Sequence, residues 1–190
     1  EVKELSQKYG WDIEPMKGGH GDDYYYQLVA NVRRYKGVPP LPKSSPPKNM
    51  SLQTGFAQWQ GVRPEYRDDY SGDTVPRNFA GTGGMHYTNY SGRNTFELLK
   101  VARDTTNLYF YARTTAPLTP STDTNWMWLL IDADQNPATG WVGYDFIINR
   151  KRDADGKFWL EKNTGGWSWK KVEPVTWRAK GNELELAIPR

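Results

Sequence analysis

Several residue types and motifs that define large protein classes are missing from this sequence. It has no cysteine, so neither a disulfide nor a thiolate metal site can form. It has two histidines, His20 and His86, which lie far apart, and it has no HExxH or GxSxG motif. No apolar run reaches transmembrane length, and no signal peptide stands at Glu1. Because the chain starts at Glu1 without a Met, we expect a processed product or a piece of a longer protein.

The charge of the chain is small and evenly mixed in sign. Lys and Arg number 25, Asp and Glu number 22, and the net charge is +3, which argues against a nucleic-acid partner. Aromatic residues, in contrast, make up 14% of the chain, with 9 Trp and 12 Tyr. Disordered chains are poor in aromatics, so this chain is expected to fold. These rings exceed what a core needs, and we expect some of them to form a surface that stacks on flat ligands.

The first quarter of the chain differs in pattern from the rest. Residues 24–36 have the i, i+3, i+4, i+7 apolar spacing of a helix, and Gly37 supplies a C-terminal stop. Residues 38–49 contain five prolines and predict a semi-rigid, extended linker. We therefore expect two parts. Residues 1–49 form an N-terminal helix and Pro-rich linker, the tail of a missing upstream domain, and residues 50–190 form a domain of their own.

From residue 50 onward, short stretches of aromatic and branched residues alternate with turn signals, without helical spacing between them. This pattern predicts a mainly β domain, an antiparallel, jelly-roll-like β-sandwich. Trp126, Trp128 and Trp177 are expected in its core. The predicted strands cover residues 56–60, 85–90, 95–103, 108–114, 126–131, 141–150, 157–161, 167–171, 175–179 and 183–188.

The expected centre of this domain is a hairpin in residues 126–150. Its two strands, 126–131 and 141–150, flank a loop of acidic and amide residues that includes the turn signal Asn136-Pro137. The loop carries carboxylates and has aromatic residues at its exit. This combination predicts a ligand or ion site on a rigid β scaffold.

Four segments, taken in order, carry a resemblance to a known family. They are YRDD at 66–69, NLYFY at 107–111, LIDAD at 130–134 with GWVGYD at 140–145, and ELELAIP at 183–189. Together they resemble a family 9 carbohydrate-binding module, part of the wider DOMON-like group of β-sandwiches. The resemblance covers the chain from residue 50 to its end.

The resemblance implies a β-sandwich appended to a secreted glycoside hydrolase, often with structural calcium and a sugar site built from tryptophans. The partners would be a polysaccharide or oligosaccharide and an upstream catalytic domain of the same polypeptide. The location would be secreted, periplasmic or at a bacterial cell surface, with no nucleic-acid partner and no membrane insertion. By analogy, the N-terminal helix would be the last helix of a catalytic barrel.

The candidate sugar-binding residues are chosen by their chemistry. The C–H faces of sugar rings pack on aromatic rings, and sugar hydroxyls need planar polar partners such as Asn, Asp and Arg. Two tryptophans at alternate positions of one strand face the same side, and an aromatic pair flanks the loop exit. The candidates are Trp141, Tyr144, Asp145, Trp167, Trp169, Arg93 and Asn94.

The candidate metal ligands are Asp132, Asp134 and Asn136. They have the 1, 3, 5 oxygen spacing of a calcium loop. The loop is not an EF-hand, because Pro137 replaces the required Gly and Gly143 stands where the Glu should be. Two interpretations stay open, a calcium site on a β-sandwich and a polar turn closed by Asx hydrogen bonds.

The expected function is therefore a non-catalytic carbohydrate-binding module of a larger secreted protein that degrades glycans. One alternative is a structural accessory domain that packs its aromatic surface on a catalytic partner without binding sugar. Another is a glycoside hydrolase in its own right, which would need two carboxylates about 5–10 Å apart across a cleft.

Overall fold

The structure, a computed structural model, describes residues 23–37, 43–67, 77–80, 86–90, 92–123 and 126–190. The predictions for residues 1–22 and 91, and those parts of the predicted linker, loops and strands that fall in 38–42, 68–76, 81–85 and 124–125, lie outside the described residues. The chain divides into two compact units, Glu1–Leu41 and Pro42–Arg190, and each is described by itself.

The described part of the first unit is one helix, α1 (Asp23–Lys36), which begins one residue before the predicted start. Arg33, Arg34 and Lys36 lie in its last turn, where positive charge complements the helix dipole. Gly37 follows with φ +74°, the left-handed conformation that commonly ends a helix.

The second unit is built from antiparallel strands. In chain order they are β1 (Glu65–Arg67), β2 (Arg77–Ala80), β3 (His86–Asn89), β4 (Phe96–Arg103), β5 (Asn107–Thr114), β6 (Leu129–Ile131), β7 (Phe146–Ile148), β8 (Trp159–Gly165), β9 (Ser168–Pro174), β10 (Thr176–Lys180) and β11 (Glu183–Pro189). A five-stranded sheet has the order β1-β4-β5-β11-β10, a four-stranded sheet has the order β6-β7-β8-β9, and β2 pairs with β3. The chain passes from the five-stranded to the four-stranded sheet between β5 and β6 and returns between β9 and β10.

Apolar side chains of the two large sheets pack against each other. Ile148 and Leu160, from the four-stranded sheet, share one buried cluster with Leu186 and Ile188 from the five-stranded sheet. This packing follows from alternation, because every second residue of a strand faces the opposing sheet. The expected mainly β, antiparallel sandwich with a single helix is confirmed for the described residues.

A 3-10 helix, Phe56–Trp59, covers part of the other face of the five-stranded sheet. The prediction of a strand over residues 56–60 is wrong. A 3-10 helix repeats every three residues, so Phe56 and Trp59 lie on the same side, and both rings contact Tyr111, at centroid distances of 6.1 and 5.2 Å. The three-residue spacing, rather than alternation, is what buries both rings.

The strands of the central hairpin are shorter than predicted. Strands β6 and β7 pair antiparallel as expected, with Leu129 opposite Ile148. Strand β6 begins two residues after Met127, whose φ is +48°, and β7 ends directly before Asn149, whose φ is +64°. These values fall outside the extended region of backbone space. Strands β1 and β2, in contrast, occupy parts of the chain where no strand was predicted.

Asp104 closes the hairpin between β4 and β5, and the hydrogen bonds to its carboxylate make the stability of the fold depend on pH. The Asp104 carboxylate accepts a hydrogen bond from the Tyr109 hydroxyl at 2.6 Å and from the backbone N–H groups of Thr106 and Asn107, both at 2.7 Å. These bonds, the one from Tyr109 foremost, lower the pKa of Asp104 from its ordinary value of 3.8 to about 2. The unfolded chain therefore takes up this proton first as the pH falls.

The stabilising contribution of Asp104 is expected to be complete above about pH 4 and to be lost as the pH falls towards about 2. Asp104→Asn should therefore melt below the native protein at pH 6, and the gap should close by about pH 2. Thermal unfolding of both proteins across this range measures the gap. A gap that does not change with pH would contradict the assigned role of the carboxylate.

Candidate functional site

The loop after β6 is organised by side chains that cap its own backbone. Oδ1 of Asp132 accepts the N–H groups of Asp134 at 3.1 Å and Gln135 at 2.6 Å, and Oδ1 of Asp134 accepts the N–H of Asn136 at 2.9 Å. The Thr139 hydroxyl donates to the Asp134 carboxylate. These consecutive Asx turns fix the path of the loop up to Gly140.

Gly140 begins a tight turn that presents two aromatic rings. It has φ +61°, and a Cβ at this position would lie 2.1 Å from the backbone oxygen of Tyr144. The N–H of Trp141 donates to the Tyr144 carbonyl at 2.8 Å, and the N–H of Tyr144 donates to the Trp141 carbonyl at 3.0 Å. The two rings stack with their centroids 6.4 Å apart and a 30° angle between their planes. Only glycine allows the backbone to approach this closely at the start of the turn.

The hairpin between β8 and β9 supplies two further tryptophans. Its turn uses Gly165 and Gly166, with φ +123° and +50°, and Trp167 follows directly. The strand register places Trp169 opposite Asn163, on the face of the sheet that carries Glu161 rather than the core residue Leu160. Trp169 therefore lies on the outer face of the four-stranded sheet.

Five rings meet on this outer face, and Trp167 is at their centre. The centroid of Trp167 lies 4.5 Å from that of Trp141, 5.5 Å from Trp169 and 5.6 Å from Trp128. Relative exposure is 43% for Trp167 and 38% for both Trp128 and Tyr144, so these rings remain open to a ligand. We call this set the aromatic cluster: Trp128, Trp141, Tyr144, Trp167 and Trp169.

Trp128 is the member of the cluster that the sequence analysis missed. Its expected place in the core is wrong, whereas Trp126 is buried as expected, and Trp177 packs against the core while partly exposed. Leu129 and Ile131 point into the core, so alternation puts Trp128 on the opposite, outer face. Because residues 126–131 are apolar at every position, the sequence alone did not show which of them face the core.

The polar candidates do not join the aromatic cluster. Nη1 of Arg93 lies 4.0 Å from Oδ2 of Asp123, and the Asn94 amide donates to the Thr119 hydroxyl at 3.0 Å. Both therefore contact the loop after β5. Oδ2 of Asp145 accepts the N–H of Ala133 at 2.8 Å, which ties the Asp145 carboxylate to the acidic loop.

Three carboxylates of this loop come close together. Asp132, Asp134 and Asp145 each offer an oxygen, and these oxygens lie within 4.8 Å of one another. Asp145, a sugar-site candidate in the sequence analysis, thus joins two of the candidate metal ligands. Oδ1 of Asn136 accepts the N–H of Ala138 at 3.0 Å, as in an Asx turn. The calcium interpretation stays a prediction.

That interpretation has a direct test by metal addition and removal. If the three carboxylates hold Ca²⁺, 1 mM CaCl₂ should raise the melting temperature, since a ligand at a hundred times its Kd stabilises by about 2.7 kcal/mol. EDTA should reverse the shift, and Asp134→Asn combined with Asp145→Asn should remove it. If neither CaCl₂ nor EDTA changes the melting temperature, the loop is a polar turn and not a calcium site.

Among the residues that the structure describes, no helix has the length and apolar character needed to cross a membrane. Comparisons with protein-family models, with curated proteins and with solved structures find no match to this chain.

Proposed function

We propose that the second unit is a non-catalytic module that binds carbohydrate through the aromatic cluster. The observation that carries the proposal is the meeting of five rings on one exposed sheet face, three of them at least 38% exposed. Exposed aromatic surface of this kind suits ligands with flat, weakly polar faces, and the C–H faces of sugar rings have that character.

The cluster is held in place before any ligand arrives. Trp167 meets Trp141 edge to face at 71° and Trp169 at 86°, so each ring restricts the rotation of its neighbours. The turn from Gly140 to Tyr144 fixes two rings through backbone hydrogen bonds. Side chains that are already ordered lose little conformational entropy on binding, so more of the stacking energy appears as affinity.

Attachment to a catalytic domain would give such a module its purpose. Sugar rings stacked on the cluster would keep the linked enzyme near its polymer, and the effective concentration of substrate at the active site would rise. A secreted, periplasmic or cell-surface location and an upstream glycoside hydrolase belong to the same proposal.

The proposal is tested by affinity electrophoresis of this chain in gels that contain soluble polysaccharides. The panel covers xylan, mixed-linkage β-glucan, galactomannan, pectin, alginate and laminarin. Retardation by at least one neutral polysaccharide is expected, in gels run with and without CaCl₂. If no polysaccharide retards the chain, the accessory-domain alternative gains, in which the exposed rings pack against a protein.

A matched pair of glycine variants tests how the cluster is positioned. Gly140→Ala and Gly181→Ala both place a side chain at a positive φ, +61° and +63°, which costs about 1–2 kcal/mol. At Gly181 a Cβ meets nothing within 4 Å, but at Gly140 it meets the Tyr144 backbone at 2.1 Å. We expect Gly140→Ala to displace Trp141 and Tyr144.

The binding of Gly140→Ala to the polysaccharide that retards the native chain should therefore weaken at least about tenfold. Gly140→Ala should also lose more stability than Gly181→Ala. Gly181→Ala should bind as the native chain does. Urea unfolding and affinity electrophoresis of both variants measure these effects. Equal losses in the two variants would refute the positioning role of Gly140.

A further inference from the structure

A pocket of about 330 Å³ opens beside the end of β7. Its volume falls at the low end of the range for ligand sites, roughly 300–1,000 Å³. Trp126 and Phe158, stacked with centroids 5.9 Å apart, form its apolar wall. The rest of the lining is polar and comes from residues 121–123 and 149–152. No member of the aromatic cluster lines it.

Asn149 in this pocket has a buried acceptor without a donor. The residue is 3% exposed, and its Nδ2 donates to the Met127 carbonyl at 3.1 Å. Its Oδ1 finds no hydrogen-bond partner among the described residues. A buried polar atom left unpaired costs free energy, so such atoms usually meet water or a ligand. A hydroxyl group in the pocket would supply the missing donor.

The charge around the pocket is positive. Asp123 faces Arg93, and Arg150 makes two hydrogen bonds to Glu161, at 2.8 and 2.6 Å, so the charges in each of these pairs offset one another. Among the described residues, the Arg152 guanidinium donates to two neutral oxygens, those of Gly156 and Ser121, and its Cζ lies 5.7 Å from the centre of the Phe158 ring. Lys151 is exposed, and within the described ranges neither cation has an ion pair. Their positive charge is left uncompensated at the rim.

We propose that this pocket binds a small carboxylate that carries hydroxyl groups, of which a uronic acid is the model. The carboxylate would face Lys151 and Arg152, and a hydroxyl would donate to Oδ1 of Asn149. An ammonium group also carries donors, but the positive rim disfavours it. The site is separate from the proposed function, and it stands or falls independently of the aromatic cluster.

Three probes of similar size separate the parts of this proposal by isothermal titration calorimetry, run on Trp167→Ala so that sugar stacking on the aromatic cluster contributes little. Glucuronate carries both the charge and the hydroxyls, glucose lacks the charge, and cyclohexanecarboxylate lacks the hydroxyls. Glucuronate should bind at least about fivefold more tightly than either of the others, with an advantage over glucose that shrinks in 0.5 M NaCl. Equal binding of glucose overturns the anion preference, and equal binding of cyclohexanecarboxylate overturns the contact with Asn149. No glucuronate binding at all overturns the site.

Charge variants locate the site. Lys151→Gln alone should weaken glucuronate about two- to fivefold, and the double variant with Arg152→Gln should weaken it further. The matched control is Arg103→Gln with Lys180→Gln, which removes the same charge from the five-stranded sheet and should leave binding unchanged. Equal weakening by the control pair would mean that only net charge matters, and would contradict the assignment.

Discussion

Trp59→Ala is expected to lower the free energy of unfolding by about 3–5 kcal/mol, the usual cost of removing a large buried aromatic ring. Trp59 is 2% exposed, stacks on Tyr111 at 5.2 Å and donates its indole N–H to Oε2 of Glu185 at 2.6 Å. Its backbone carbonyl accepts a hydrogen bond from Nζ of Lys100 at 2.9 Å. One residue thus joins a ring layer to two charged side chains that are themselves buried.

Glu185 makes the Trp59 site sensitive. The residue is 1% exposed, Gln58 donates to its Oε2 at 3.1 Å, and Nη2 of Arg178 lies 3.0 Å from its Oε1 in an ion pair that lacks hydrogen-bond geometry. Loss of the indole therefore removes one of the few donors to a buried carboxylate, which adds to the cost of the cavity. Trp59→Phe keeps most of the ring but not the N–H, so it should cost about 1–3 kcal/mol.

Urea unfolding of the native chain and the two Trp59 variants tests this expectation. Trp128→Ala, which removes a tryptophan that is 38% exposed, is the control for ring loss at the surface and should cost far less. If the free energy of unfolding of Trp59→Ala lies within about 1 kcal/mol of that of the native chain, the 3-10 helix Phe56–Trp59 does not stabilise the fold as expected.

Trp167→Ala is expected to weaken binding of the polysaccharide that retards the native chain about ten- to a hundredfold, the range for a central hot-spot residue. The ring contacts three other tryptophans, at centroid distances of 4.5, 5.5 and 5.6 Å, so its loss removes a stacking surface and frees its neighbours to move. Because it is 43% exposed, its removal should change stability little.

A matched tyrosine pair controls for the loss of an exposed ring in general. Tyr144 is 38% exposed within the cluster, and Tyr66 is 59% exposed on β1 of the other sheet. Tyr144→Ala should weaken glycan binding and Tyr66→Ala should not. Calorimetric titration of Trp167→Ala, Tyr144→Ala and Tyr66→Ala with an oligosaccharide of the polysaccharide that retards the native chain gives the affinities. Equal affinity of Trp167→Ala and the native chain would remove the cluster from the proposed site.

Where turn signals bound a strand, the sequence was enough to locate it. Strands β5 and β11 were placed within one residue at each end, because a turn precedes each of them and a loop or proline follows. Strand β1 was missed, since a three-residue edge strand owes its existence to pairing with β4 rather than to its own pattern. The 3-10 helix was missed because the contacts of Phe56 and Trp59 with the Tyr111 ring, which favour it over a strand, are not visible in the sequence.

The aromatic cluster could be foreseen only in pieces. Trp141, Tyr144, Trp167 and Trp169 were each recognisable as candidates, being beside turns or at alternate positions of a strand. What brings the two pairs together is the register from β7 through β8 to β9, a long-range property that local sequence does not encode. Trp128 joins them because β6, which follows it, pairs with β7. The unpaired acceptor of Asn149 likewise becomes visible only in three dimensions.

The most direct test of where glycan binds is a titration followed by the indole N–H signals of the tryptophans in an ¹⁵N–¹H correlation spectrum. The chain has 9 tryptophans, and single substitutions assign their signals. We expect the signals of Trp128, Trp141, Trp167 and Trp169 to shift together with a single Kd while those of Trp59 and Trp126 stay fixed. Shifts confined to tryptophans outside the aromatic cluster, or no shifts at saturating glycan, would contradict the proposed binding site.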